Sequence, residues 1–291
     1  MFHTFAVVEP TWNNGVGRPK IPKNPAMNVY SFYTFKELLK ALQTAKASPD
    51  LVAALIQRAS GGIHVPRDFA TLEEAVGFFK RYADSDKDPY SISFSMIKDG
   101  ADAEHKANDD PDIVTIPRKI VLGKGEHQID GVSLKIPSAM NIVGDPDVLK
   151  SEIVVVGGIY FEEGIQGNCH LQNMTLRQAE WCGVYGLSSF TMEDILVEQC
   201  DMHGVVARGI GVVGRCTNVE VRECGGSGVY AQEGASITLI GTKTKVHHNC
   251  TIWDDHYGLQ VSGPFPSSTI QLVFPLTKEQ VSLDNGGGGN W

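Results

Sequence analysis

Cysteine is absent from the first 168 residues of this 291-residue chain, and lysine plus arginine are outnumbered by aspartate plus glutamate, 25 to 34. The formal charge of −9 argues against a nucleic-acid binder, which needs a basic stripe to neutralise phosphates. Long apolar runs are missing too. Near the start only Phe5-Ala-Val-Val8 is continuously apolar, too short for a signal-peptide core or a membrane span. On that reading no spanning helix is expected and a cytoplasmic location is favoured.

What charge there is sits unevenly. Residues 84–112 hold nine carboxylates against three lysines, which reads as a solvated insertion or as a partner or cation site. Calcium is the one cofactor considered; otherwise no cofactor and no metal-ligand set is expected. Residues 1–62 form a preface. Its first part is rich in proline, asparagine and glycine, and helices are expected over 35–46 and 51–59, the second opened by Ser48 with Pro49 at its first position.

All six cysteines fall between Cys169 and Cys250, where the chain repeats every 21 to 26 residues. Leu176-Arg-Gln-Ala179 aligns with Val197-Glu-Gln-Cys200, Val221-Arg-Glu-Cys224 and Val246-His-His-Asn249. Stacking the units yields columns: Leu171, Met192, Cys216, Gly241; Met174, Ile195, Val219, Thr244; Leu176, Val197, Val221, Val246; Ala179, Cys200, Cys224, Asn249; and Val184, Val205, Val229, Leu259, each of the last preceded by glycine. Apolar and polar residues alternate with the period of a strand. Small residues are expected at the corners, where positive φ is needed. A period in the twenties, with strand alternation and an apolar column, predicts a parallel β-helix solenoid. Only 8% aromatics suits such a coil. The cysteines read as a buried, reduced stack.

Earlier short runs continue the pattern, at Ile120-Val-Leu122, Val132-Ser-Leu134, Met140-Asn-Ile-Val143 and Ile153-Val-Val-Val156. Thr269-Ile-Gln-Leu-Val273 restores it after insertions at 251–257 and 264–267. The coil is thus expected over 63–275, with its clearest repeats at 169–250. Residues 276–291 are left as a tail, and its glycine-rich end from Asp284 is expected to be disordered or trimmed.

This layout resembles the right-handed parallel β-helix (pectate-lyase-like) superfamily. The segment Ile63-His-Val-Pro-Arg-Asp-Phe-Ala-Thr-Leu-Glu-Glu-Ala-Val76 is similar to that superfamily's opening strand and capping helix. Residues 71–83 then form the cap, with Thr71 and Glu74 at capping-box spacing and Leu72, Ala75, Val76 and Phe79 on one face. The resemblance spans roughly 63–275 and implies a mainly β fold. It does not select a function, because the superfamily includes lyases, hydrolases, epimerases and non-catalytic proteins.

Outward positions carry what chemistry there is. Arg177, Glu198, Arg222 and His247 form one column, which reads as a cross-strand charge ladder before it reads as catalysis. Gln178, Gln199, Glu223 and His248 form a second polar column. His247, His248, Asp254, Asp255 and His256 crowd imidazoles and carboxylates together and, with Glu198, are the catalytic candidates. Asp254 and Asp255 also read as ordinary turn residues. Tyr185 and Tyr230 point outward and, with Arg177 and Arg222, are the ligand-binding candidates; the tyrosines could stack sugars or pack beneath the preface. The clustered calcium-binding aspartates of pectate lyases, the Gly-His-Gly string of polygalacturonases and the Asp-Pro-His string of alginate epimerases are not found. The sequence therefore favours a non-catalytic β-helix that recognises a polysaccharide or a protein partner. The alternatives are a carbohydrate-active enzyme (lyase, hydrolase or epimerase) and a structural component of a particle or surface layer.

Overall fold

The computed structural model describes residues 34, 35, 37, 38, 61–81, 91–95, 113–253, 255–262 and 268–287, with only the backbone at 91–95 and 113–116. The preface outside 34–38, most of the acidic segment, Asp254 and residues 288–291 lie outside the described residues. The coil is a parallel β-solenoid whose strands each pair with the equivalent strand of the next turn.

One inward column crosses the whole coil on the first side. It runs Ile63, Ile120, Ile142, Leu171, Met192, Cys216, Leu239, Leu272 through successive parallel pairs. On the second side Val155, Leu176, Val197, Val221 and Val246 stack in register. Ile159, Val184, Val205, Val229 and Leu259 do so on the third. Nearly all of these side chains are fully buried. Each unit is too small to bury an apolar face alone, so the columns exist only because turns stack.

The first of the aligned columns needs a correction. Cys216 pairs with Leu239, not with Gly241. Gly241, at φ 86°, instead continues the bends at Asn173, Asp194 and Asn218, which have φ of 54°, 50° and 53°. Extra turn residues after Gly241, closed by the Thr244 amide donating to the Gly241 carbonyl, restore the Val221–Val246 register. An alignment anchored on Val246 therefore misplaces everything before the turn.

Corner chemistry also differs from expectation. The next bends use Gln178, Gln199, Glu223 and His248 at φ of 54–57°, so at these bends left-handed backbone is carried by polar residues rather than glycine. At Asn173, Asp194 and Asn218 the short Asn and Asp side chains, which can hydrogen-bond locally, ease that conformation. Gly183, Gly204, Gly228 and Gly258, in contrast, have no left-handed φ and are small for a different reason. A Cβ on Gly204 would strike Val221 and come within 2.6 Å of the Gly228 carbonyl oxygen. The column is glycine because adjacent turns touch there.

At the N-terminal end the helix Leu72–Arg81 covers the core with Leu72, Ala75, Val76, Phe78 and Phe79. The Thr71 hydroxyl accepts from the Glu74 amide at 3.2 Å, the capping contact its spacing predicts. Phe35 is fully buried and meets Phe78 edge-on at 5.4 Å, and its amide donates to buried Asp68 at 3.0 Å. Within the acidic segment Ser91–Ser95 pairs antiparallel with Ile113–Pro117, which follows that segment.

The coil also runs past residue 275. Ser282–Leu283 pairs with Val246–His247, and Asn285, expected to be disordered, is hydrogen-bonded to Asn249. All six cysteines are free and buried. Among the described residues no helix is long and apolar enough to cross a membrane.

Candidate functional site

Candidates that are close in sequence separate onto two outer faces. The chain turns a corner at His248 and Cys250, with φ of 56° and 60°. His247 stays on the second side, whereas Asp255 and His256 reach the third. Asp254 lies outside the described residues.

On the second side the charge ladder forms. Glu198 pairs in register with Arg177 and with Arg222. Its Oε2 accepts from Arg222 Nη2 at 2.7 Å and Nε at 3.0 Å, while Arg177 Nε lies 3.6 Å from Oε1. Glu198 is only 7% exposed. The carboxylate bonded to its guanidinium raises the Arg222 pKa further. Glu220 extends the network, 3.5 Å from Arg222 and 3.1 Å from His247 Nε2. His247 and His248 meet Nδ1 to Nδ1 at 2.7 Å, which requires one ring to donate and the other to accept. The carboxylates of this face are thus taken up by neighbours on adjacent turns.

The third side carries a different surface. Its outward column is Tyr160, Tyr185, Val206, Tyr230, Gln260. Tyr160 and Tyr185 stack at 5.5 Å with planes 2° apart, and Trp181 stacks on Tyr185 at 4.4 Å. Tyr185 is 5% exposed and Val206 wholly buried, so these two are the floor of a second, external apolar cluster rather than free platforms. Trp181, Tyr160, Met202 and Tyr230 form its half-buried upper layer. Next to it runs a polar column, Arg208, Gln232, Ser262. Arg208 donates to the Tyr185 hydroxyl at 3.1 Å and to Glu233 at 2.8 Å, and Tyr230 bonds Ser262 at 2.6 Å.

His203 was not among the sequence candidates, yet it joins Tyr230 to His256. Its ring meets Tyr230 edge-on at 5.0 Å and His256 at 5.2 Å. His203 Nδ1 accepts from the Ser227 amide at 2.9 Å, which leaves the ring proton on Nε2. Burial, reinforced by His256, lowers its pKa to about 4. His256 Nδ1 in turn meets Asp255 at 2.8 Å. Trp253 packs over Gly226, where a Cβ would sit 2.8 Å from His203 Nδ1. One signal in the sequence could have found this face. Glu180-Trp-Cys-Gly, Asp201-Met-His-Gly and Gly225-Gly-Ser-Gly align, and their backbones are linked: the Met202 amide donates to Trp181 and the Gly226 amide to Met202.

Among the described residues no group of three or more His, Cys, Asp or Glu side chains is placed to hold a metal ion. A depression of about 240 Å³ beside the cap, bordered by Thr71, Lys124 and His127, is smaller than typical small-molecule sites.

No family model, curated protein or solved structure matches this chain. The class rests on its own geometry: a parallel β-solenoid with an ion-paired second face and an aromatic third face.

Proposed function

We propose that this protein is a non-catalytic β-solenoid that binds an extended polysaccharide along its third face. The observation that carries this reading is the half-buried layer of Trp181, Tyr160 and Tyr230 beside the polar column Arg208, Gln232, Ser262. Rigid aromatic side chains offer apolar area at low entropic cost, and adjacent amide and hydroxyl groups can meet sugar hydroxyls. Turns repeat at about 4.8 Å, so a chain lying along the coil axis passes one turn of this face after another at regular spacing. The engagement of Glu198 by two arginines leaves that carboxylate poorly suited to general acid or base work. On this reading the chain is a binding member of the pectate-lyase-like superfamily that its sequence resembles.

The test is affinity electrophoresis through gels containing single polysaccharides, alongside assays for reducing ends and unsaturated products. Trp181→Ala and Gln232→Ala should each release the retained protein while leaving its melting temperature within a few degrees. Turnover that vanishes in Glu198→Gln would overturn the reading, as would failure of every glycan to retain the protein.

A further inference from the structure

Resting on the glycan reading, we infer that the polysaccharide this face accepts carries no anionic groups: a neutral hexose or pentose chain, not a uronan or a sulfated glycan. The argument is charge complementarity. Carboxylates border the aromatic layer at both ends and along one side. Glu162 and Glu163 follow Tyr160 two and three residues on, and after burial and Tyr185 they help raise the pKa of its hydroxyl against the opposing pull of Arg208. Exposed Glu180 and Asp201 immediately precede Trp181 and Met202, and exposed Asp255 lies at the far end beside His256.

Among the described residues, this face offers few counterions for an anionic chain. No lysine occurs between Lys150 and Lys243, the stretch that supplies most of this face. Among the described residues its one arginine is Arg208, whose charge is already paired with Glu233 and which also donates to the Tyr185 hydroxyl. Arg177 and Arg222 belong to the second side, where Glu198 holds them. A uronan laid on Trp181 would bring a carboxylate past Glu180 and Asp201 at every few ångströms of chain, and among the described residues only the ion-paired Arg208 stands near to meet it. Repulsion between exposed charges at such separations is modest singly and adds along a polymer.

Gels containing neutral glucan, xylan or mannan should therefore retard the protein at least about tenfold more strongly, per unit polymer, than gels containing polygalacturonate, alginate or a sulfated galactan at low salt. Raising sodium chloride should leave the neutral-glycan retardation unchanged and narrow the gap by screening. The double variant Glu180→Gln, Asp201→Asn should also narrow it. Preferential retention by an anionic glycan, lost in Trp181→Ala and weakened by salt, would overturn this inference while leaving the glycan reading standing. Retention by neither class would overturn both and leave the face to a protein partner.

Discussion

Asn285 repeats in the last turn what Asn249 does in the turn before. Asn249 Nδ2 donates to the Val221 carbonyl at 3.0 Å, and Asn285 Nδ2 donates to the Val246 carbonyl at 3.1 Å. The two are joined, since Asn285 Oδ1 accepts from both the backbone and the side-chain nitrogen of Asn249. A column that begins with Ala179, Cys200 and Cys224 thus ends in two amides, each of which satisfies a backbone carbonyl of the turn before it. Asn249→Ala removes the acceptor of the buried Cys224 amide as well. Its expected cost is about 1–3 kcal/mol, read as a fall in the denaturant midpoint, with a smaller loss for Asn285→Ala.

Glycine substitutions should divide by sign. Gly204→Ala pushes a methyl into Val221 and the Gly228 carbonyl, an overpacking cost of about 1–3 kcal/mol. Gly77, inside the cap helix, has nothing within 4 Å of its would-be Cβ. Gly77→Ala should stabilise by up to about 1 kcal/mol. Thermal melts of the two variants give the comparison, and matching signs would contradict the packing described.

Val221 is fully buried in the second-side column. Val221→Asp places a carboxylate there without a partner and should abolish cooperative folding or lower stability by several kcal/mol. An unchanged melting temperature would mean the register is wrong.

Glu198→Gln leaves Arg177 and Arg222 facing each other across one turn. Because Glu198 is nearly buried and the arginine side chains are 31% and 35% exposed, the expected loss lies between surface and buried pairs, about 1–3 kcal/mol. A double-mutant cycle with Arg222→Met measures the coupling directly. Glycan retention should not change.

His203 makes stability depend on pH. Its folded-state pKa of about 4 lies below the unfolded value of about 6.5, so the unfolded chain binds the proton first as pH falls. Its stabilising contribution is complete above about pH 6.5 and is lost progressively down to about pH 4, amounting to about 3 kcal/mol. Chemical denaturation between pH 4 and 8 should show this fall in wild type and a flatter curve in His203→Gln.

Thiol chemistry offers a separate check. Burial pushes the pKa of Cys169, Cys182 and Cys216 up to about 12. Native protein at pH 8 should resist alkylation at these sites, while denatured protein should take up a label on every cysteine, counted by intact mass.

Strand alternation and the inward columns from Leu176 to Val246 are legible in the amino-acid pattern, because a side-chain period of two and a repeat in the twenties allow few other arrangements. That pattern also placed Glu198 between two arginines, since adjacent turns in register put equivalent outward residues side by side. The remaining features depend on contacts between turns that no periodicity encodes. Gly241 fell on a bend rather than in the core because a short turn consumed the extra residues, and spacing does not say on which side of an insertion the register slips. Asn285 joined the last turn through amide hydrogen bonds that leave no periodic trace. His203 and His256, more than fifty residues apart in sequence, meet because Trp253 packs over Gly226, where the missing side chain makes room. Tyr185 and Tyr230 were legible as outward-facing, but how far their neighbours would bury them depends on where Trp181 and Arg208 come to rest, and only the stacked coil settles that.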